Sequence, residues 1–203
     1  MGAQISTTND VMIEVIYLEG NIGCGKSSAL KFLKSKGEIT VPELVEEWTF
    51  LDEFYKDCKN AFQLQTEIAL SRREQLYRGI RVAKQKGKTR LFVERNIKTG
   101  ALFSEGLSST ERIVLNRLYS VLSSQEIQLF TERTIYFSVD PSLCWDRIQK
   151  RGRNAESTVD KDYIYRLHRI FETHFMPNLD ATTLYISDSM DVNVVGKKIL
   201  DMV

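Results

Sequence analysis

Apolar residues run along this chain in two alternating rhythms. Short, nearly continuous runs rich in β-branched residues occupy 11–18, 89–93, 134–137 and 183–186, the length and composition of buried strands. Between them, apolar residues recur at helical spacing over 28–36, 49–57, 61–86, 109–128, 141–150, 160–174 and 192–202. A fifth strand is predicted over 38–45. Pro42 lies within it and cannot donate to a ladder, so this strand should end there or lie at a sheet edge. Gly87 closes the longest helix, and Pro141 suits the first turn of the helix over 141–150. Strands alternating with helices predict an α/β fold, a parallel five-stranded sheet with helices on both faces. Such sheets bind ligands beyond the carboxyl ends of their strands. Here those ends carry a glycine-rich turn, Glu43, Glu94-Arg95 and Asp140.

One domain is expected over 11–203, after a polar, flexible leader over 1–10. The 28 basic residues nearly balance the 27 acidic ones, and a net charge of +1 gives no field suited to nucleic acid. No apolar run approaches membrane-spanning length, and no signal peptide is visible. Cys24, Cys58 and Cys144 are sparse and unpaired in pattern, which points to a reducing, cytoplasmic setting. The opening Met1-Gly2-Ala3-Gln4-Ile5-Ser6 fits the loose N-myristoylation pattern at Gly2.

The candidate chemistry begins at Gly20-Asn21-Ile22-Gly23-Cys24-Gly25-Lys26-Ser27, a G-x-x-x-x-G-K-S stretch between a predicted strand and a predicted helix starting at Ser28. In that setting the pattern is a phosphate-binding loop. Its glycines let backbone N–H groups turn inward to phosphate oxygens, and the helix start adds its dipole. Lys26 then reaches the outer phosphates, and Ser27 is placed for Mg²⁺. Cys24 fills a permissive loop position.

Glu94 ends a strand where a carboxylate near Mg²⁺ belongs, and Arg95 beside it can neutralise phosphate charge. Arg147 and Arg151 share a helix face, and Arg153 follows Gly152 in a charged loop, an arrangement suited to an Arg-rich lid over transferring phosphates. An alcohol acceptor needs a base within reach. Glu43, Glu46 and Glu47 all qualify by type, and spacing does not choose among them. Gln65 offers a donor and an acceptor to a nucleobase edge, with Trp48, Phe54 and Tyr55 as flanking aromatics. Pattern alone reads these aromatics equally well as core. His168 and His174 have no partner pattern and read as structural.

Together these segments resemble the deoxynucleoside kinases of the deoxycytidine, deoxyguanosine and mitochondrial-thymidine kinase group. The resemblance spans about 13–187. It rests on Gly20 to Ser28, Pro42-Glu43-Leu44-Val45-Glu46-Glu47-Trp48, Phe62-Gln63-Leu64-Gln65-Thr66, Glu94-Arg95 and Arg147-x-x-x-Arg151-Gly152-Arg153-Asn154. It implies a P-loop kinase that uses ATP and Mg²⁺ to phosphorylate the 5′-hydroxyl of a deoxynucleoside, and a homodimer. Under it, Glu43 is similar to the general base and Arg95 to the residue that holds the reacting 5′ end. Glu94 and Ser27 resemble the metal-site pair. Gln65 resembles the base-pairing glutamine, Ile22 and Trp48 pocket walls, and Tyr55 with Glu156 the 3′-hydroxyl pair.

The sequence departs from the family pattern in four places. The Tyr55–Gln65 spacing is one residue short, which makes Phe54 a rival to Tyr55. Asn96 stands where Ser is usual, and Ala155 where a second acid is common. Arg72 resembles the helix Arg of deoxycytidine- and purine-preferring members, yet its usual Asp partner is here Gly100, a small residue as in thymidine-accepting members, where it leaves space for the 5-methyl group. Without that partner Arg72 is expected to turn to solvent or to contact the base O4. The resemblance therefore implies a pyrimidine preference that includes thymidine and deoxycytidine. A nucleoside monophosphate kinase is the rival enzyme. A nucleotide switch is disfavoured because neither N-K-x-D nor D-x-x-G occurs.

Overall fold

The computed structural model describes residues 12–103, 105–124, 130–153, 156–178 and 180–203. The leader with its Gly2 pattern, the expected helix end at 125–128, Asn154, Ala155 and the side chain of His174 lie outside the described residues.

Five strands form one parallel sheet in the order β2-β3-β1-β4-β5. β1 (Ile13–Gly20) is central, between β3 (Arg90–Glu94) and β4 (Phe130–Val139). β5 (Ala181–Ile186) and β2 (Thr40–Val41) are the edges. The expected edge position of the Pro42 strand is met, but only two residues pair before the proline ends the ladder. β4 starts four residues earlier than the apolar run at Thr134. Glu132 and Arg133 break the hydrophobic pattern while still pairing with Val15 and Ile16.

The period-2 alternation of β1 divides the core. Ile16 and Leu18 pack with Leu30 and Leu33 of α1 (Lys26–Ser35) and with Ile199 of α7 (Val192–Asp201). Val15 and Tyr17 face the other way, with Leu76 and Ile80 of α3 (Ala61–Gln85). Each fully buried Leu or Ile contributes about 1.5–3 kcal/mol relative to exposure, so both helix layers are fixed by this one strand. Two glycines permit close approach that no periodicity reveals. A Cβ on Gly79 would meet Val41 Cγ2 at 2.5 Å, and one on Gly196 would meet Phe32 Cδ1 at 2.0 Å.

A third apolar cluster joins α2 (Leu51–Asp57), α3 and α4 (Ser109–Ser124) through Leu51, Phe54, Leu64, Ile68, Leu115 and Tyr119. The helix expected over 160–174 is α6 (Lys161–Ile170) followed by one π-helical turn, Phe171–Phe175, whose Phe171 packs on Tyr136.

Helix starts differ in a way that matters for ligands. α5 (Pro141–Arg151), α6 and α7 are each capped by an aspartate, Asp140, Asp160 and Asp191, that accepts from N–H groups of its own first turn. α1 begins at Gly25 with no side-chain cap. Its first-turn N–H groups are left without a side-chain acceptor, an arrangement suited to an anion.

Candidate active site

β1, β2 and β3 all deliver their carboxyl ends to one cavity of about 600 Å³. The register aligns Leu18 of β1 with Glu94 of β3, so the P-loop and the Glu94-Arg95 turn emerge side by side. The Arg95 N–H donates to Leu18 O at 3.1 Å, which ties the two turns together.

The P-loop is shaped by glycine at positions where a side chain cannot fit. Gly23 has φ +79, and a Cβ there would lie 2.4 Å from Cys144 O. Lys26 is folded into the loop, with Nζ donating to Asn21 O at 2.8 Å and Gly20 O at 3.2 Å. The Ser27 hydroxyl donates to Glu94 Oε1 at 2.9 Å. This pair, a hydroxyl and a strand-end carboxylate beside the phosphate loop, is the donor set that Mg²⁺ takes when nucleotide phosphates supply its other ligands. Among the described residues no cluster of three or more His, Cys, Asp or Glu side chains offers a cage for a metal.

Glu43 follows the two-residue edge strand and reaches into the cavity. Glu46 and Glu47 fall in the 3-10 turn Val45–Glu47 and are exposed. Geometry thus separates three carboxylates that sequence spacing could not. Glu43 Oε1 accepts from Arg72 Nε at 3.0 Å and from Arg72 Nη2, and Oε2 lies 3.4 Å from Arg95 Nε. Burial pushes the Glu43 carboxyl up, but the Arg72 and Arg95 guanidiniums and Lys26 outweigh it, holding the group below the usual carboxylate range. Arg72 therefore turns neither to solvent nor toward position 100. Its partner is Glu43, and Nη1 donates to Asn96 O at 3.3 Å.

Replacing Arg72 with Met should move the acid limb of the pH–rate profile to higher pH. Arg72 is the largest charge lowering the Glu43 pKa; without it the carboxyl protonates earlier as pH falls. An acid limb unchanged in the variant would contradict this coupling.

The remaining candidates split by location. Ile22, Trp48, Tyr55, Gln65 and Glu156 line the cavity, as do Cys24, Gly25, Ser28 and the three lid arginines. Gln65 Oε1, Trp48 Nε1 and Tyr163 Oη, on residues that line the cavity, are buried with no hydrogen-bond partner among the described residues. Phe54 and Tyr55 both reach the cavity, and they differ in their surroundings. Phe54 belongs to the α2–α3–α4 core. Tyr55 packs edge-on to Tyr163, and burial followed by the Glu156 and Glu43 charges pushes its phenol well up. That environment keeps Tyr55 a neutral donor beside Glu156.

Arg147 Nη1 reaches the P-loop at Cys24 O, 3.4 Å away. Arg151 forms a fork with Glu156, its Nε 2.7 Å from Oε2. Arg153 lies 3.6 Å from both Glu46 and Glu156, so the lid also touches the turn beyond Glu43.

Three expected site residues do not line the cavity. Gly20 is packed against Phe137, where a Cβ would meet the Phe137 carbonyl at 2.9 Å. Asn21 points into the protein, donating from Nδ2 to Ile164 O at 3.0 Å, and so anchors the loop to α6. Gly100 lies beneath Tyr119, whose hydroxyl would be 2.6 Å from a Cβ at that position. The space left by the missing side chain is filled by this phenol.

Sequence reasoning passed over other contributors. Glu19 is fully buried on β1 behind Arg95. Its signal was a carboxylate at the end of an apolar central strand. Phe103 and Tyr163 reach the cavity from a turn and from α6 without local motifs. Ile186, Met190, Val192 and Val195 give the cavity an apolar end past the P-loop.

Comparison with known proteins identifies the family and the fold. A family model for deoxynucleoside kinases matches residues 16–200. Protein 029R of invertebrate iridescent virus 3 is 30% identical over 199 residues, covering 93% of this chain and 95% of that one. Human deoxycytidine kinase is 30% identical over 226 residues, covering 93% of this chain and 87% of the relative. The structure of deoxyadenosine kinase from M. mycoides with bound dATP superposes with a TM-score of 0.74 at 23% identity, covering 93% and 98% of the two chains, a likeness of fold.

Proposed function

Since the chain belongs to the deoxynucleoside kinase family, we propose that it transfers the γ-phosphoryl group of ATP to the 5′-hydroxyl of pyrimidine deoxynucleosides, deoxycytidine and thymidine. Phosphotransfer to deoxynucleosides is the family's activity; the choice of acceptor, donor and residue roles is our reading. The observation that carries it is Glu43, a carboxylate kept ionised by two guanidiniums between the P-loop and a pocket lined by Trp48, Tyr55 and Gln65.

In this reading the nucleoside lies between Ile22, Trp48 and Tyr163, with its base edge on Gln65 and its 3′-hydroxyl between Tyr55 and Glu156. The 5′-hydroxyl then meets Glu43. As the hydroxyl oxygen bonds to the γ-phosphorus and the bond to the β-phosphate oxygen breaks, the hydroxyl proton passes to a Glu43 oxygen. Phosphoryl transfer of this kind develops little charge on the attacking oxygen until late. A carboxylate of depressed pKa is therefore a sufficient acceptor, because the proton leaves late, when bonding to phosphorus has made the hydroxyl acidic. Lys26, Arg95 and the lid residues Arg147, Arg151 and Arg153 stabilise the charge on the transferring group. Ser27 and Glu94 would hold Mg²⁺, which when bound neutralises phosphate charge and orients the donor. The apolar end of the cavity at Met190 and Val192 suits the donor's adenine.

Deoxycytidine is supported by the deoxycytidine kinases among the relatives and by the two-sided hydrogen-bonding capacity of Gln65. Thymidine rests on the likeness of Gly100 to the small residue of thymidine-accepting members alone, and Tyr119 fills the space at that position. A steady-state comparison of thymidine, deoxycytidine, deoxyadenosine and deoxyguanosine with ATP tests the preference, and a purine turned over best would overturn it.

The proposed setting is the cytoplasm. Among the described residues no helix is long and apolar enough to cross a membrane. A homodimer is supported by an apolar stripe on α3 and α4, where Leu70, Ile113, Val114 and Val121 are exposed, Ile113 at 69%. Light scattering should give twice the chain mass; the single-chain mass would remove the dimer.

A further inference from the structure

Glu19 has no place in the reading above, yet it is 0% exposed and sits at the end of the central strand. Burying a carboxylate is costly unless its oxygens are satisfied. Here the satisfaction is uneven. Oε1 accepts from the Asn96 N–H at 2.6 Å and from the Thr99 hydroxyl. Oε2 has no hydrogen-bond partner among the described residues and lies 3.6 Å from Arg95 Nη1, itself unpartnered.

Arg95 is unusual in its backbone as well. Its φ of +65 is a left-handed conformation that a long side chain rarely adopts. Residues held this way persist only where their surroundings over-determine them. Glu19 supplies that restraint from both ends, holding the N–H of the next residue and facing the guanidinium. On the other side the guanidinium meets Glu43 Oε2 at 3.4 Å, and its carbon lies 5.0 Å from the Phe103 ring centre and 5.7 Å from that of Phe171. Two aromatic rings and two carboxylates thus leave Arg95 one orientation.

We propose that Glu19 is a positioning residue for phosphoryl transfer, fixing Arg95 in its left-handed turn so that the guanidinium faces the reacting 5′ end. Burial pushes the Glu19 carboxyl up, and the Arg95 guanidinium with the bonds from Asn96 and Thr99 opposes it. Losing the oxygen that faces Arg95 Nη1 frees the guanidinium to move toward Glu43. This inference rests on the role proposed above for Arg95, and the test separates the two.

The Glu19→Gln variant keeps the side-chain volume and an oxygen for Asn96 and Thr99, but turns an amide donor toward the Arg95 donor. Its kcat with deoxycytidine and ATP should fall about 30- to 100-fold, with KM for both substrates within about 3-fold, because a misplaced group costs the transition state more than binding. In an Arg95→Ala background the same change should cost less than about 3-fold, since residues acting as a unit are not additive. A Glu19→Gln protein with more than half the wild-type kcat overturns the proposal. So does a full loss repeated in the Arg95→Ala background, which would mark a general structural role. Should circular dichroism show Glu19→Gln unfolded, Thr99→Val removes one of the groups that hold Glu19. It should lower kcat about 5-fold in the wild type and not in Arg95→Ala, and a wild-type kcat in Thr99→Val overturns the proposal. If Arg95→Ala itself keeps wild-type kcat, the role of Arg95 fails and Glu19 with it. If Arg95→Ala is slow and Glu19→Gln is not, Glu19 alone fails.

Discussion

Glu43→Gln should lower kcat by about 10²- to 10⁴-fold, the range in which a positioned proton acceptor contributes. Nucleoside affinity should stay within a few-fold, because Gln65, Trp48, Tyr55 and Glu156 are untouched. Glutamine retains an oxygen for Arg72 or Arg95 and cannot accept the hydroxyl proton. It also removes one negative charge from between two buried guanidiniums. Breaking a buried pair in this way costs about 3–5 kcal/mol, so the variant should melt lower, and kinetics belong well below its midpoint. The sign of the pH effect on stability follows from the lowered carboxyl of Glu43. Its stabilisation is present above its unfolded pKa, about 4.3, and is lost as pH falls through the lower folded value. Rapid-quench turnover with a parallel nucleoside titration checks the kinetic prediction, and near-wild-type turnover would remove Glu43 from the role.

Lys26→Ala should reduce kcat/KM for ATP by about 10²- to 10³-fold, comparable to deleting a preorganised donor to transition-state charge. The Lys26 ammonium is held by Gly20 O and Asn21 O within the loop. It therefore has two tasks, closing the loop around the phosphates and neutralising the outer ones. Both are lost in the variant. ATP binding measured by calorimetry should weaken together with kcat, whereas deoxycytidine binding should not change. A variant that binds ATP as wild type and turns over normally would mean that the loop cradles phosphate through backbone N–H groups alone.

The parts of this site legible in the sequence are those whose geometry is local. The P-loop, its strand and its helix lie within 23 residues in the fold, from Ile13 to Ser35, and their pattern states their shape. Glu94-Arg95 was legible because a strand end is a local feature. What could not be read depends on contacts across the fold. Arg72 meets Glu43 across 29 residues and not position 100, because α3 runs beneath the edge strand and delivers the guanidinium there. Gly100 reads as an opening, yet Tyr119 of α4 closes it. Asn21 looks like a ligand residue in the motif, but α6 offers it a carbonyl at Ile164. Glu19 meets Arg95 only because that residue takes a left-handed turn, which no side-chain pattern announces.

The central claim, that this cavity brings a sugar hydroxyl to the γ-phosphate beside Glu43, is tested most directly by ³¹P NMR of the purified protein with ATP, Mg²⁺ and deoxycytidine. A growing phosphomonoester signal coupled to the C5′ protons, matched one for one by ADP, is the expected result. A reaction silent with every deoxynucleoside, but producing diphosphates when a deoxynucleoside monophosphate is added, would contradict it.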